Sequence, residues 1–350
     1  MFVLTEDQQL IHEAARTLLV ENCSTEQLRK MLADGQVQDE ARWAQILEMG
    51  LPSILVSEER GGLGLSAVDF VGVAEAAGYV ALPEPLVEQG GVVLPLLAGL
   101  SDSKGWLDRA LAGAKIAIDH PAQHFVADAN QAEAVIFFVD GAIHIVERDQ
   151  LELIKQESID PFRELSRVVY SFSAETQLAK GDEAQKLIAE AFERGALFCA
   201  AQALGLAQRC VDMAVSYTQE RTQFGKPIGS YQAVKHMLAN VQVQIEFARP
   251  VIYAAAVELP LGGPIAAARV SHAKLAATEA ADFAARTALQ AHGAMGFTWE
   301  VDLHFFMKRA LALLAAWGKP ALHRNRVVER MLEQPIGPDS LFASEIEAIA

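Results

Sequence analysis

The sequence predicts a mainly α protein with one small β domain in its middle. Three observations predict it. Apolar residues recur at helical spacing over 1–112, short β-branched and aromatic runs replace them over 113–182, and long alanine-rich helical segments return over 183–350. The three stretches divide the chain into an N-terminal helical domain (1–112), a β domain (113–182) and a C-terminal four-helix bundle (183–350). With 350 residues, 51% of them hydrophobic, the chain can bury two or three packed units.

In the first stretch Thr5 with Gln8, and Ser24 with Gln27, form capping-box patterns before apolar runs. "SAVDFVGVAEAAGYVA" has helical periodicity and stops before Pro83 and Pro85. In the second stretch "KIAIDH", "AVIFFVDG", "AIHIVE" and "RVVYSFSA" read as strands, with Asp140-Gly141 a hairpin turn. In the third, helices are expected over about 183–220, 230–258, 264–292 and 300–316, with a last one near 320–333. Breaks fall at Pro227/Gly229, at "PLGGP" and at "HGAMG". Helices of about 28–30 residues span roughly 40–45 Å, and short connections make neighbours antiparallel. The tail "GPDSLFASEIEAIA" reads as a loosely held end.

A net charge of −16 with no long basic run argues against nucleic acid and anionic membrane surfaces as partners. The three cysteines, Cys23, Cys199 and Cys210, fit neither a disulfide framework nor a zinc pattern and read as buried thiols. No basic-then-apolar leader opens the chain and no 18-residue apolar run interrupts it, so a cytoplasmic location is expected.

Two connectors stand out. "ERTQFGKPIGSYQAVKH" (220–236) carries Arg221, Lys226, Gln223 and Gln232 with two glycines, where a plain helical turn needs few polar residues. Ser230 is a candidate N-cap for the helix that follows, and free N–H groups there beside Arg221 and Lys226 would attract an anion. The alternative is an ordinary loop with solvated charges. "QAHGAMGFTWE" (290–300) repeats the plan: Gly293 and Gly296 can end one helix, Thr298 can cap the next, and Glu300 and Asp302 suit its dipole. A turn explains those glycines but not Gln290 and His292.

Other patterns carry less. "GLGLSA" (62–67) matches a dinucleotide fingerprint in form, but Glu58 and Glu59 precede it and no strand follows. "HPAQH" (120–124) could pair two metal ligands, yet nothing converges on it. No histidine has a glutamate three residues before it, which argues against a di-iron bundle.

The stretch "YTQERTQFGKPIGSYQAVKHMLA" resembles the first signature of the acyl-CoA dehydrogenases, and "QAHGAMGFTWE" resembles their second. "VSEERGGLGLSAVDFVGVAEAAG" is similar to the glycine-bearing turn of their N-terminal domain. The resemblance covers most of the chain in order. It implies the family's fold, with helical domain, β-barrel and four-helix bundle. It also implies α,β-dehydrogenation of an acyl-CoA, in which a carboxylate removes the α-proton while a β-hydride passes to FAD. Carried over by position, Arg221, Gln223, Phe224 and Gln232 would contact the FAD of a neighbouring subunit, as would Gln290, His292, Gly293 and Ala294.

The departures are as informative. Trp317 stands where the family's usual glutamate base stands, and Gly195 stands at the alternative base position; Glu193 and Glu190 are the nearest carboxylates to the latter. The β segment is short, "AIDHPAQHFVADA" stands where the resemblance places a Thr-Glu-Pro…Gly-Ser-Asp-like stretch, and the Trp-Ile-Thr/Ser segment that covers the flavin ring in the family has no counterpart. The resemblance therefore implies a reduced β-barrel and the degenerate or smaller subunit of a heteromeric enzyme, α2β2 in form. Such a subunit would complete the FAD site of a partner that supplies the base. It resembles the paired dehydrogenases of steroid degradation, which implies a steroid-CoA substrate. Two rivals are a self-sufficient homo-oligomer with Glu193 as relocated base, and a non-catalytic structural subunit.

Overall fold

The structure is a computed structural model that describes residues 4–333 apart from residue 124; the tail expected to be loosely held lies outside the described residues. The N-terminal region holds α1 (Glu6–Asn22), α2 (Thr25–Ala33), α3 (Glu40–Glu48) and α4 (Ala67–Tyr79). Then come α5 (Leu86–Glu88), a π-turn over Gln89–Val93, α6 (Leu94–Gly99) and α7 (Trp106–Leu111). Both capping boxes form as the sequence predicts, each side chain accepting from the other residue's backbone N–H. Within α4 only Glu75 and Tyr79 escape full burial, because the helix runs between α1 and α8 (Asp182–Glu220).

The β region is β1 (Ile116–Asp119), β2 (Val126–Ala127), β3 (Ala134–Val139), β4 (Ala142–Glu147), β5 (Glu152–Gln156), β6 (Leu165–Val169) and β7 (Gln177–Lys180). They form one sheet in the order β1-β3-β4-β7 and a second in the order β2-β6-β5. β3 and β4 are joined by Asp140-Gly141 with both residues left-handed (φ 50° and 72°), the type I′ geometry the sequence predicts. The run "RVVYSFSA" is a strand only as far as Val169. Beyond it, the rings of Tyr170 and Phe172 turn onto Phe137 (centroids 3.9 and 5.7 Å), where they bury more apolar surface than an extended edge would. The mixed-polarity strands β5 and β7 carry no clear alternation and escape the sequence reading.

The tiny strands β8 (Thr222–Gln223) and β9 (Lys226–Pro227) separate α8 from α9 (Gln232–Glu258). α10 (Gly263–His292) and α11 (Leu303–Ala315) complete the bundle, and α12 (Pro320–Glu333) packs on α10. α8 runs for 39 residues, about 58 Å, and its bounds match the expected 183–220 to within one residue. Its small residues let backbones touch. A Cβ on Gly205 would lie 1.9 Å from the Glu75 carbonyl oxygen, and one on Gly78 would lie 1.9 Å from that of Gln202. Gly205→Ala is therefore expected to destabilise the fold by about 3 kcal/mol or more, since backbone rather than a flexible side chain must move; urea unfolding would measure it. Arg309 of α11 ties the three regions together, pairing with Asp160 of the β region and donating to the Leu82 carbonyl (2.8 Å).

Two predicted caps are corrected. The Ser230 hydroxyl donates to the Pro227 carbonyl (2.7 Å) inside a 3₁₀ turn, so α9 starts after Tyr231 without a side-chain cap. The Thr298 hydroxyl likewise turns back to Met295 (2.8 Å), and Asp302 stands at the start of α11 with its carboxylate engaged by Arg29. In both cases the hydroxyl finds a nearer carbonyl within its own tight turn.

Candidate functional site

The two glycine-bearing connectors meet at one end of the bundle. Near the end of α8 the Tyr217 ring stacks on the imidazole of His292 at the end of α10, with centroids 4.3 Å apart and planes 27° apart. After Glu220 the chain turns out of the helix at Arg221 and folds into the β8–β9 hairpin. Its two turn residues, Phe224 and Gly225, are both left-handed (φ 52° and 80°). A phenylalanine rarely adopts that conformation, and this one is 92% exposed. The two-residue turn requires that conformation at both positions, and it leaves the ring in solvent. The hairpin is braced from α9: the Tyr231 hydroxyl donates to the Gln223 carbonyl (3.4 Å), and the Lys226 ammonium sits 4.3 Å above the Tyr231 ring.

Arg221, Gln223, Phe224 and Gln232 are all exposed, and so are Gln290, Gly293 and Ala294 of the second connector. Arg221 has no carboxylate partner among the described residues. His292 differs: it is buried, and its Nδ1 lies 2.7 Å from the Ala288 carbonyl. Burial lowers its pKa, with the Ala288 carbonyl opposing, which favours a neutral ring with Nδ1–H donating. Beside the hairpin lies a cavity of about 380 Å³ with a floor of Val211, Val215 and Leu238 and a rim of Gln219, Lys235 and Gln242. An unpaired guanidinium, several amides and glycine backbone suit a phosphate-bearing ligand with a flat polar end. The residues fit the diphosphate and adenosine portion of FAD approached from outside the chain.

The positions at which the resemblance would place a catalytic base are filled instead. The structure brings Gly195, Trp317 and the His120 segment to one place. The Trp317 indole lies against Gly195 so closely that a Cβ there would be 2.2 Å from the ring. His120 is 5.2 Å from the Trp317 ring and stacks on Phe192 at 5.1 Å, and Phe192 stacks in turn on His323 at 5.8 Å. Trp317 is left-handed (φ 55°) and its carbonyl lies 2.9 Å from His323 Nε2, while His323 Nδ1 lies 3.1 Å from the Ser271 hydroxyl. That network assigns Nε2–H as donor to Trp317 and Nδ1 as acceptor from Ser271. Lys274, fully buried, donates to the Leu313 carbonyl (2.7 Å), one of those left without a helical donor where α11 ends. Beyond Trp317 a cavity of about 30 Å³ remains, bordered by Gln89, Lys115, Asp128 and Arg163. It has room for a water or two and none for a flavin ring or acyl chain. Glu193 is paired with Arg326 of α12, and exposed Glu190 lies 3.9 Å from Lys186.

Burial pushes the pKa of His120 and of His323 down to about 4. A histidine whose folded pKa is depressed contributes stability that is complete above its unfolded pKa of about 6.5 and is lost as pH falls toward the folded value. Each accounts for about 3 kcal/mol over that window. The expected result is a stability decline between about pH 6.5 and pH 4, smaller in His120→Phe; denaturant titrations at several pH values would show it.

The sequence reading missed Tyr217, Tyr231 and His323. A signal existed for the first: Tyr217 precedes Arg221 by one helical turn, which places both on one face. The remaining patterns resolve simply. "GLGLSA" follows a 3₁₀ turn at Glu58–Arg60 rather than a strand and leads into the capping box of α4. His120 joins the ring stack, His124 lies outside the described residues, and no cluster of three or more metal-ligating side chains occurs among the described residues. All three cysteines are buried free thiols, as expected. No helix among the described residues is long and apolar enough to cross a membrane.

Comparison with known proteins agrees with this architecture. The family models of the acyl-CoA dehydrogenase N-terminal and C-terminal domains match residues 5–102 and 185–332. Acyl-CoA dehydrogenase IpdE2 of Mycobacterium tuberculosis is 30% identical over 331 residues, covering 94% of this chain and 99% of that protein. Two solved structures share the fold. The ChsE4-ChsE5 complex of Mycobacterium tuberculosis has a TM-score of 0.82 at 21% identity, over 96% of this chain and 100% of that one. The Tcur3481-Tcur3483 steroid ACAD has a TM-score of 0.82 at 19% identity, over 94% and 98%. The full-length relationship to IpdE2, the two domain matches and the shared three-part fold establish that this chain belongs to the acyl-CoA dehydrogenase family, whose cofactor is FAD.

Proposed function

We propose that this chain is one subunit of a heteromeric acyl-CoA dehydrogenase. It completes, across the subunit interface, the FAD site of a partner subunit that supplies the catalytic base. The observation that carries this reading is the contrast between two places on α8. At Gly195 the chain's own base position is packed with aromatic rings. At Arg221 an exposed clamp has no such packing. The 25 helical steps from Gly195 to Glu220 span about 38 Å, more than one flavin dinucleotide covers. The clamp therefore serves a cofactor seated in another chain. Phe224, Phe297 and Trp299 (92, 79 and 61% exposed) supply aromatic surface at the same end, as a partner interface would.

In this reading Arg221 neutralises diphosphate charge, and Gln223, Gln232 and Gln290 hydrogen-bond the polar adenosine end. Bound FAD supplies the hydride acceptor for the dehydrogenation. Neither Trp317 nor Gly195 carries a carboxylate, His120 and His323 are taken up in the ring stack, and Glu193 is held by Arg326, so proton abstraction falls to the partner. The names of the structural neighbours, one a two-protein complex and one a steroid enzyme, support a heteromeric assembly acting on a steroid-CoA, for which α2β2 is the form we propose. The test is to purify the chain alone and with its co-encoded dehydrogenase partner. Stoichiometric flavin and acyl-CoA oxidation are expected only for the complex. A lone chain that carries FAD and oxidises acyl-CoA overturns the proposal.

A further inference from the structure

We infer that Tyr217 is a positioning residue that sets the spacing between the two connectors, and through it the affinity for FAD. The inference rests on the clamp reading above and adds a residue that touches neither its cationic tip nor its glycines. Two contacts carry it. The Tyr217 carbonyl accepts the Arg221 N–H (2.9 Å), so the tyrosine's backbone fixes the point at which Arg221 leaves α8. Its ring, on the same residue, stacks on His292 at 4.3 Å. His292 is itself pinned by the Ala288 carbonyl (2.7 Å) and is the last residue of α10 before Gly293 turns out of the helix (φ 60°, ψ −138°). One side chain thus spans from the root of the first connector to the root of the second.

That span matters for a ligand held from both sides. A diphosphate and the adenosine attached to it are joined by freely rotating single bonds, so their bound shape is held only if Arg221 and the Gly293 turn keep a fixed separation, and a small displacement of either loses orientation rather than a single contact. Neither connector can set the separation alone, because α8 and α10 belong to different parts of the chain. The buried positions beneath include small side chains such as Ala214 and Ala288, and the stacked aromatic rings add a larger contact of defined geometry above them. The Tyr217 hydroxyl has no partner among the described residues, so the ring and not the hydroxyl performs the task.

The experiment uses the full chain, alone and co-purified with its partner subunit, in the variants Tyr217→Phe, Tyr217→Leu and Tyr217→Ala. In the complex, FAD dissociation constants from flavin fluorescence should be within about twofold of wild type for Y217F and about tenfold weaker for Y217L and Y217A. In the lone chain, NMR titration of the histidines should show His292 staying neutral to lower pH in wild type and Y217F than in Y217A, where the uncovered ring gains water. Thermal melts accompany each variant, and Y217L keeps most of the buried volume. Unchanged FAD affinity in Y217L and Y217A overturns the inference, as does a loss that merely parallels a fall in melting temperature. Arg221→Ala separates the two levels. If it weakens FAD binding while Y217A does not, Tyr217 has no positioning role and the clamp stands. If neither variant weakens FAD binding, the clamp itself is refuted and the inference falls with it.

Discussion

Alanine in place of Arg221 is expected to weaken FAD binding by the two-subunit complex about 10- to 100-fold while leaving the fold of this chain intact. The magnitude follows from removing charge-assisted hydrogen bonds to a diphosphate, each worth about 1.5–3 kcal/mol. The fold should survive because Arg221 is exposed and pairs with no carboxylate among the described residues. Lysine at the position should recover only part of the loss, since an ammonium keeps the charge without the two-pronged geometry. Affinity should also fall with added salt in the wild-type complex and fall less steeply in the variant. Equilibrium flavin titrations at two ionic strengths would measure all three effects. An Arg221→Ala complex that retains FAD as wild type does would remove the basis of the clamp.

Trp317→Ala should be the most destabilising single change at the filled site, by about 3–5 kcal/mol. The indole is 3% exposed and wedged between Gly195, which has no side chain to follow it, and His120. The backbone at Trp317 is left-handed and fixed by His323, so the surroundings have little freedom to collapse into the space. Denaturant unfolding would give the number, and Trp317→Phe should cost clearly less. Trp317→Glu is the more telling companion. It places a carboxylate where the resemblance puts the family's base, yet the rings of His120 and Phe192 still stand where a flavin would need room. The lone W317E chain is therefore expected to show no acyl-CoA oxidation. Activity there would mean that the chain's own site lacks only its base.

Much of the fold can be read locally. Thr5 with Gln8, Ser24 with Gln27 and Asp140-Gly141 are read correctly because a cap or a two-residue turn depends on neighbours within a few positions. Ser230 and Thr298 fail for a related reason. Their residue types suit a cap, but a hydroxyl serves whichever backbone group its own turn brings nearest, and each turn brought a carbonyl. The strands β5 and β7 fail because their sides are too evenly mixed for a period of two to show.

The sequence by itself determined the kinds of element, their order, and the chemistry of the two connectors, since charge, amide and glycine content need no folding to be counted. It also marked Trp317 and Gly195 as departures. Only the tertiary structure decided what those departures amount to. Residues 120, 195 and 317 are far apart in the chain, and no local rule states that their side chains will fill one another's space. The same holds for Tyr217 and His292, 75 positions apart, which meet because α9 runs back along the bundle and lets α8 and α10 finish at the same end. Local sterics act over a few residues, whereas a packed interior joins whichever residues the topology makes neighbours. An absent carboxylate was visible in one dimension; the rings that close its place required three.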